Sequence, residues 1–309
     1  MALDLRPLTL AELLDRAFST YRRHLWLFVG IMALPSVLAV GSALLMQSSS
    51  AMTQSARPDE LFTRILPLFA AGLLLTLMYA AVYAFALGAT AIAVSERYLG
   101  RDATITSAYA RVRRHAGRLV LLLIWVLLRL GGTFVLLIML TGVIAAVLMA
   151  GSRLVGIVIF VLGVAASFLL PAFLGVRYGV AVPTLVLEGA PAGASLRRSV
   201  ELTSGHLGRV FLLMLCAAVI AYASAALFEG PFVMAAFLAG PGTRAAMWWS
   251  VVGALSGGIG GMFSGPIMII GLAFLYYDLR IRKEALDLQL MLDTLDAQAS
   301  PALAPAASD

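Results

Sequence analysis

Six apolar runs, each long enough to cross a hydrocarbon core about 30 Å thick as a helix of roughly 20 residues, leave this chain few ways to fold. They fall near Leu25–Met46, Ile65–Val94, Leu119–Ala150, Leu154–Leu187, Val210–Phe228 and Ala246–Tyr277. Between them, 61% of the 309 residues are hydrophobic and 12% charged, with a mean hydropathy of +0.97. So few charges cannot cover a water-facing surface, which excludes an ordinary soluble enzyme. The expected fold class is an all-α, polytopic integral membrane protein with six transmembrane helices.

The runs are broken where helices should end. Gln47 to Arg64 holds a serine run and Pro58-Asp59-Glu60, Gly151-Ser152-Arg153 is a tight turn, and Gly240-Pro241-Gly242 cannot continue a helix. These three breaks are the expected hairpin tips. Of the 22 Lys and Arg residues, sixteen fall on the side of the termini and only Arg57, Arg64, Arg153 and Arg244 on the tip side. That asymmetry predicts that both the N- and the C-terminus are cytoplasmic. The net charge of +6 points to anionic headgroups rather than nucleic acid, because no soluble basic domain is left over. Cys216 lies alone in an apolar run, so neither a disulfide framework nor a thiolate metal site is expected. The first 24 residues spread charges among leucines and do not read as a cleaved signal peptide.

The chain has three histidines, His24, His115 and His206, separated by two gaps of 91 residues, and each opens an apolar run. The same step connects Arg153 to Arg244, and twice that step connects Glu96 to Asp278. Agreement at several landmarks predicts three copies of one unit, over about 9–98, 99–190 and 191–281. Each unit reads as a short amphipathic elbow helix followed by a transmembrane hairpin. Thr9 and Glu12 have capping-box spacing, followed by Leu10, Leu13, Leu14, Ala17, Phe18 and Tyr21 at helical intervals. Ile105, Ala108, Tyr109 and Val112, then Leu196, Val200 and Thr203, repeat the pattern. Elbows of this kind lie along the cytoplasmic interface. Residues 1–296 thus form one six-span membrane domain, whose last span continues as a cytoplasmic amphipathic helix over 278–295. The Ala- and Pro-rich stretch 297–309 is expected to be a disordered tail.

A signature runs through Arg177-Tyr178, Pro183, Leu187-Glu188, Ala194, Leu196-Arg197-Arg198-Ser199, Leu202-Thr203 and Gly205-His206, and closes on Tyr276-Tyr277-Asp278-Leu279-Arg280-Ile281-Arg282-Lys283-Glu284 with Leu286-Asp287-Leu288. It resembles the glycerophosphoryl diester phosphodiesterase membrane-domain family of bacterial proteins, over nearly the whole chain. The resemblance implies a six-helix membrane module of a kind often found without the phosphodiesterase barrel. Such a barrel takes about 250 residues and a metal-binding cluster of acids and histidines, for which this sequence has no room.

Candidate site residues are few. Arg129 and Arg177 interrupt apolar runs and, counted from the tip at Ser152, lie at one level, about 35 Å away at 1.5 Å per residue. Either both guanidiniums snorkel to headgroups, or they lie deeper and share a phosphate or carboxylate of a lipid or solute. Glu229, followed by Gly230-Pro231, is expected to cap the outer end of the fifth span. Glu188 is expected to pair with Arg197 or Arg198 as a structural hinge. Gly253, Gly257, Gly261 and Gly265 recur at every fourth residue and predict close helix packing; the other reading is a pliable helix broken near Pro266 and lining a path. The histidines lie at helix-to-span junctions and are expected to be interfacial rather than metal ligands. No catalytic or nucleotide motif is present. The expected function is a non-enzymatic module that organises membrane lipids, above all anionic ones, or a membrane protein partner, without a cofactor; the alternative is a carrier for an anionic lipid or small anionic metabolite.

Overall fold

The computed structural model describes residues 8–54, 61–98 and 100–284. Among them the chain forms α1 (Leu10–Arg23), α2 (Leu25–Gln54), α3 (Leu61–Tyr98), α4 (Ile105–Arg113), α5 (Ala116–Gly151), α6 (Arg153–Arg177), α7 (Ala181–Glu188), α8 (Ala192–Thr203), α9 (Leu207–Phe228), α10 (Gly230–Leu238) and α11 (Arg244–Glu284), with no strand. Six helical segments are long and apolar enough to cross a membrane: Leu25–Gln47, Leu66–Tyr98, Ala116–Gly151, Arg153–Glu188, Leu207–Phe228 and Arg244–Glu284. The chain is therefore a multi-pass membrane protein by length and composition of its helices. The expected helix beyond Glu284 and the tail 297–309 lie outside the described residues.

Short helices precede the long ones for local reasons. Thr9 accepts a hydrogen bond from the Glu12 amide while the Glu12 carboxylate takes the Thr9 amide at 2.7 Å, a complete capping box. Thr104 and Ser107 do the same for α4. His24, His115 and His206 each stand between a short helix and a long one.

Two long runs are less continuous than their hydropathy suggests. The fourth breaks after Arg177, where Tyr178 to Val180 turn before α7 begins. Gly179 lies close to α9 there: a Cβ would stand 2.9 Å from Met214 Cε, the end of a flexible side chain that would have to shift. After the fifth, the chain turns at Glu229 into α10, with Pro231 in its first turn. Conversely, α11 passes through Pro266 unbroken for 41 residues.

The buried core lies in the half of the molecule that carries α1, α4 and α8. Leu13, Phe28, Ile31, Val112, Leu122, Leu196, Leu213 and Tyr276 pack together there, whereas the hairpins toward their tips expose side chains such as Leu73, Leu136, Val147 and Leu162. Apolar exposure of that extent suits lipid contact. At the centre, α11 packs on α1, α2, α3, α9 and α10, while α5 and α6 pack chiefly on each other.

The short helices α1, α4 and α8 are each tied by hydroxyls to a carbonyl of the preceding hairpin, in cyclic order. Tyr21 of α1 donates to Phe263 O of α11 at 2.8 Å, Tyr109 of α4 to Ile31 O of α2 at 2.7 Å, and Ser199 and Thr203 of α8 to Arg177 O of α6 at 2.8 and 3.4 Å. Ile31 lies four residues before Pro35, whose missing N–H leaves that carbonyl without its helical donor. Burial pushes the Tyr109 phenol up to about 12, so it stays protonated and able to donate. Tyr109→Phe should therefore lose about 1–3 kcal/mol of stability through an unpaired carbonyl. Adding Pro35→Ala, which returns the amide, should recover much of it; equal melting temperatures for wild type and Tyr109→Phe in nanodiscs would disprove the pairing.

Candidate functional site

Arg129 lies exposed on α5, with its guanidinium carbon 5.3 Å from the Trp125 ring centroid and 5.8 Å from that of Tyr178. Its Nη1 donates to Tyr178 Oη at 3.3 Å. Trp125 precedes Arg129 by four residues and so shares its helix face. Arg177 is half-buried at the end of α6, 5.8 Å from the Phe173 ring, and its Nε is buried without a hydrogen-bond partner. Among the described residues neither arginine has a carboxylate within ion-pair distance. Arg129 therefore reaches the residue that follows Arg177, and Tyr178 links the two. From the tip, Gly151 back to Arg129 is about 33 Å and Arg153 on to Arg177 about 36 Å at 1.5 Å rise per residue, close to one hydrocarbon thickness.

Tyr178 also forms a wall of a cavity of about 220 Å³ between the three hairpins, lined by Leu87 of α3, Leu122, Val126 and Leu130 of α5, Met214 of α9 and Leu272 of α11. A space this apolar holds hydrocarbon more readily than water. The arrangement joins a place for an alkyl chain to a pair of cations that face aromatic rings instead of acids. Tyr178 and Trp125 were not among the candidates read from the sequence, although their spacing from the arginines is visible in it.

Glu188 makes a separate network. It accepts from Tyr276 Oη at 2.7 Å and lies 3.7 Å from Arg198 Nε and 3.9 Å from Arg280 Nε. Arg197 goes elsewhere, to Glu201 at 3.8 Å. Glu188 and Arg198 thus tie α7, α8 and α11 together, and Arg197 takes no part in that junction. Glu96 pairs with Arg111, and Asp278 with Arg209 and Arg282.

The glycine row of α11 is divided in what it does. Gly253 faces Phe232 at 3.2 Å from a built Cβ, but Gly261 and Gly265 have ordinary room, with Ser36 Oγ at 3.8 Å and Met32 Sδ at 3.5 Å. Close approach falls instead on Gly258, against Val40 of α2, and on Gly260, against Phe228 at 3.0 Å. Gly257 faces the Glu229 carboxylate. Glu229 makes no side-chain cap bond; its backbone joins α9 to α10 and its carboxylate turns toward α11.

The histidines do not converge. Burial first, then Arg97 and Arg23, hold the His24 imidazole below its ordinary pKa. Among the described residues no group of three or more His, Cys, Asp or Glu side chains could hold a metal ion. No family model, no curated protein and no solved structure matches the chain.

Proposed function

We propose that this chain is a non-enzymatic module of the bacterial inner membrane whose basic, terminus-bearing side faces the cytoplasm and holds anionic lipid. Arg129 and Arg177 take the phosphate, and the apolar cavity behind Tyr178 takes part of an acyl chain. The observation that carries this reading is an exposed guanidinium on an apolar hairpin, partnered among the described residues by aromatic rings and one phenol and by no carboxylate, beside a hydrocarbon-lined space. An arginine at mid-membrane costs about 2.5–3.5 kcal/mol on insertion scales, so an anion at the headgroup boundary is the natural partner. Planar guanidiniums suit phosphate oxygens. The sequence resemblance to the membrane-domain family fits the same reading.

Three elbow-plus-hairpin units in pseudo-threefold arrangement are part of the proposal. Supporting it are the cyclic hydroxyl-to-carbonyl ties and three carboxylates at the ends of even spans, Glu96, Glu188 and Asp278, which engage Arg111 of α4, Arg198 of α8 and the Leu8 amide before α1. His24, His115 and His206 also share a backbone conformation, with φ of −126°, −106° and −128° and ψ of 35°, 10° and 18°.

Native mass spectrometry tests the lipid reading. In Arg129→Gln/Arg177→Gln, retained phosphatidylglycerol or cardiolipin should fall about tenfold, and the thermal stabilisation that these lipids give the wild type should vanish. Unchanged retention and unchanged stabilisation would leave simple snorkelling. The central position of the cavity favours the carrier alternative as a second reading; there, anionic-lipid movement across proteoliposomes would depend on the same two residues. Orientation is tested in a Cys216→Ala background, where Thr243→Cys should label from outside and Thr106→Cys only after permeabilisation. The reverse pattern would overturn the topology.

A further inference from the structure

The second cavity lies toward the hairpin tips, away from the arginine pair. It is an open pocket of about 300 Å³ among α2, α3, α11 and the α9–α10 junction, and its walls include Ser36, Tyr79, Tyr83, the exposed Glu229, Gly257 and Gly261. Unlike the first cavity, it is lined in part by polar atoms. A Cβ built on Gly257 would stand 3.1 Å from Glu229 Oε2, so a side chain at 257 would crowd the carboxylate where it lies against α11.

Glu229 has no hydrogen-bond or ion-pair partner among the described residues. Its nearest rivals for a structural explanation fail: it makes no cap bond, and Arg244, fifteen residues on at the start of α11, does not reach it. Gly257 is 21 residues from Asp278 on the same helix, about 31 Å at 1.5 Å per residue, which places the carboxylate near the far boundary of the hydrocarbon from the buried ion pairs. A lone carboxylate there needs a proton, water or a cation.

The aromatic walls select among these. Tyr79 and Tyr83 lie one helical turn apart on α3 and stack with ring centroids 5.8 Å apart at 22°. Neither hydroxyl has a hydrogen-bond partner among the described residues. Stacked rings offer electron-rich faces to a cation, their phenols accept N–H donors, and the carboxylate supplies the countercharge. A bare metal ion would find one carboxylate and too few further oxygens, whereas an alkylammonium matches both the aromatic and the anionic wall.

We infer that this tip-side cavity binds an ammonium group, held by Glu229 and flanked by Tyr79 and Tyr83. The ammonium belongs either to an amine-headed lipid of the adjacent leaflet or to a free amine from the aqueous phase. This site is independent of the arginine pair in position, charge and ligand.

The test uses the full-length protein in nanodiscs. In phosphatidylglycerol, which carries no amine, butylammonium should raise the melting temperature of the wild type, and Glu229→Gln should weaken its apparent affinity at least about tenfold, since a charge-assisted hydrogen bond is lost. In nanodiscs of equal parts phosphatidylglycerol and phosphatidylethanolamine, native mass spectrometry should find the amine lipid retained by the wild type and not by Glu229→Gln. Retention without a butylammonium response assigns the headgroup as the ligand; a butylammonium response without retention assigns the free amine. Gly257→Ala keeps the charge but pushes the carboxylate off its seat, and should weaken binding severalfold. A wild type that responds to neither amine, or variants at 229 and 257 that bind like the wild type, would overturn the assignment.

Discussion

Replacing Asp278 by alanine is expected to remove most of the folded protein. Its side chain is fully buried, with Oδ1 accepting the Leu8 amide at 2.8 Å and Oδ2 lying 3.0 Å from Arg282 Nε and 3.3 Å from Arg209 Nε. Both arginines also donate to Leu8 O. One carboxylate thus joins the entry to α1, the start of α9 and the end of α11, and lies between two guanidiniums whose mutual repulsion it offsets. Deleting one member of a buried pair costs about 3–5 kcal/mol, because the remaining charge keeps its desolvation penalty. The melting temperature and the monodisperse yield after extraction should both fall sharply. Pairing Asp278→Asn with Arg209→Gln should recover part of the loss by removing one stranded cation. An Asp278→Ala protein as stable as the wild type would show that the cluster is solvated and contributes little.

Two glycine-to-alanine changes within one hairpin should have opposite signs. At Gly156 on α6, an added Cβ would lie 2.8 Å from Met149 N and 2.9 Å from Met149 Cα on α5, and backbone atoms cannot swing aside as a side chain can. Gly156→Ala must separate the two helices near their tip, at a cost of about 1–3 kcal/mol. Helices in lipid associate through close van der Waals contact, so a forced separation has little hydrophobic compensation. Gly142 on α5 has nothing within 4 Å of the same construction. Gly142→Ala should stabilise by up to about 1 kcal/mol through helix propensity. Reversible unfolding in mixed micelles can compare the pair, and a neutral Gly156→Ala would mean the hairpin is looser than its backbone distances.

The glycine contrast shows why motif spacing is an incomplete guide to packing. The every-fourth row on α11 is the more conspicuous pattern, yet Gly156 and Gly163 on α6 make contacts at least as tight, with Thr141 Cβ 2.9 Å from the position a Cβ would take at 163. Repetition along a helix says that one face is smooth. Which glycine on that face meets a neighbour depends on the rotation and crossing point of both helices. Likewise, Glu188 is visible as an acid near two arginines, but only the turn of α8 decides that Arg198 reaches it while Arg197 points to Glu201.

Sequence alone determines the helical fold class and the number of long apolar segments. A run of twenty or more apolar residues is a local property, and its length against the bilayer does not depend on any distant partner. The capping box at Thr9 and Glu12 is legible for the same reason, since both halves lie within one turn. The positions of Arg129 and Arg177 as charges inside apolar runs are equally local. Only the tertiary structure decides what those charges face: Trp125 and Tyr178 around one, Phe173 beside the other, and a hydrocarbon-lined space behind them. It alone brings Tyr109 to the carbonyl that Pro35 leaves open 78 residues away, and Glu229 to the bare surface of Gly257. Such pairings depend on helix rotation and depth, which are set by many weak contacts summed over whole interfaces, and no window of sequence contains that sum.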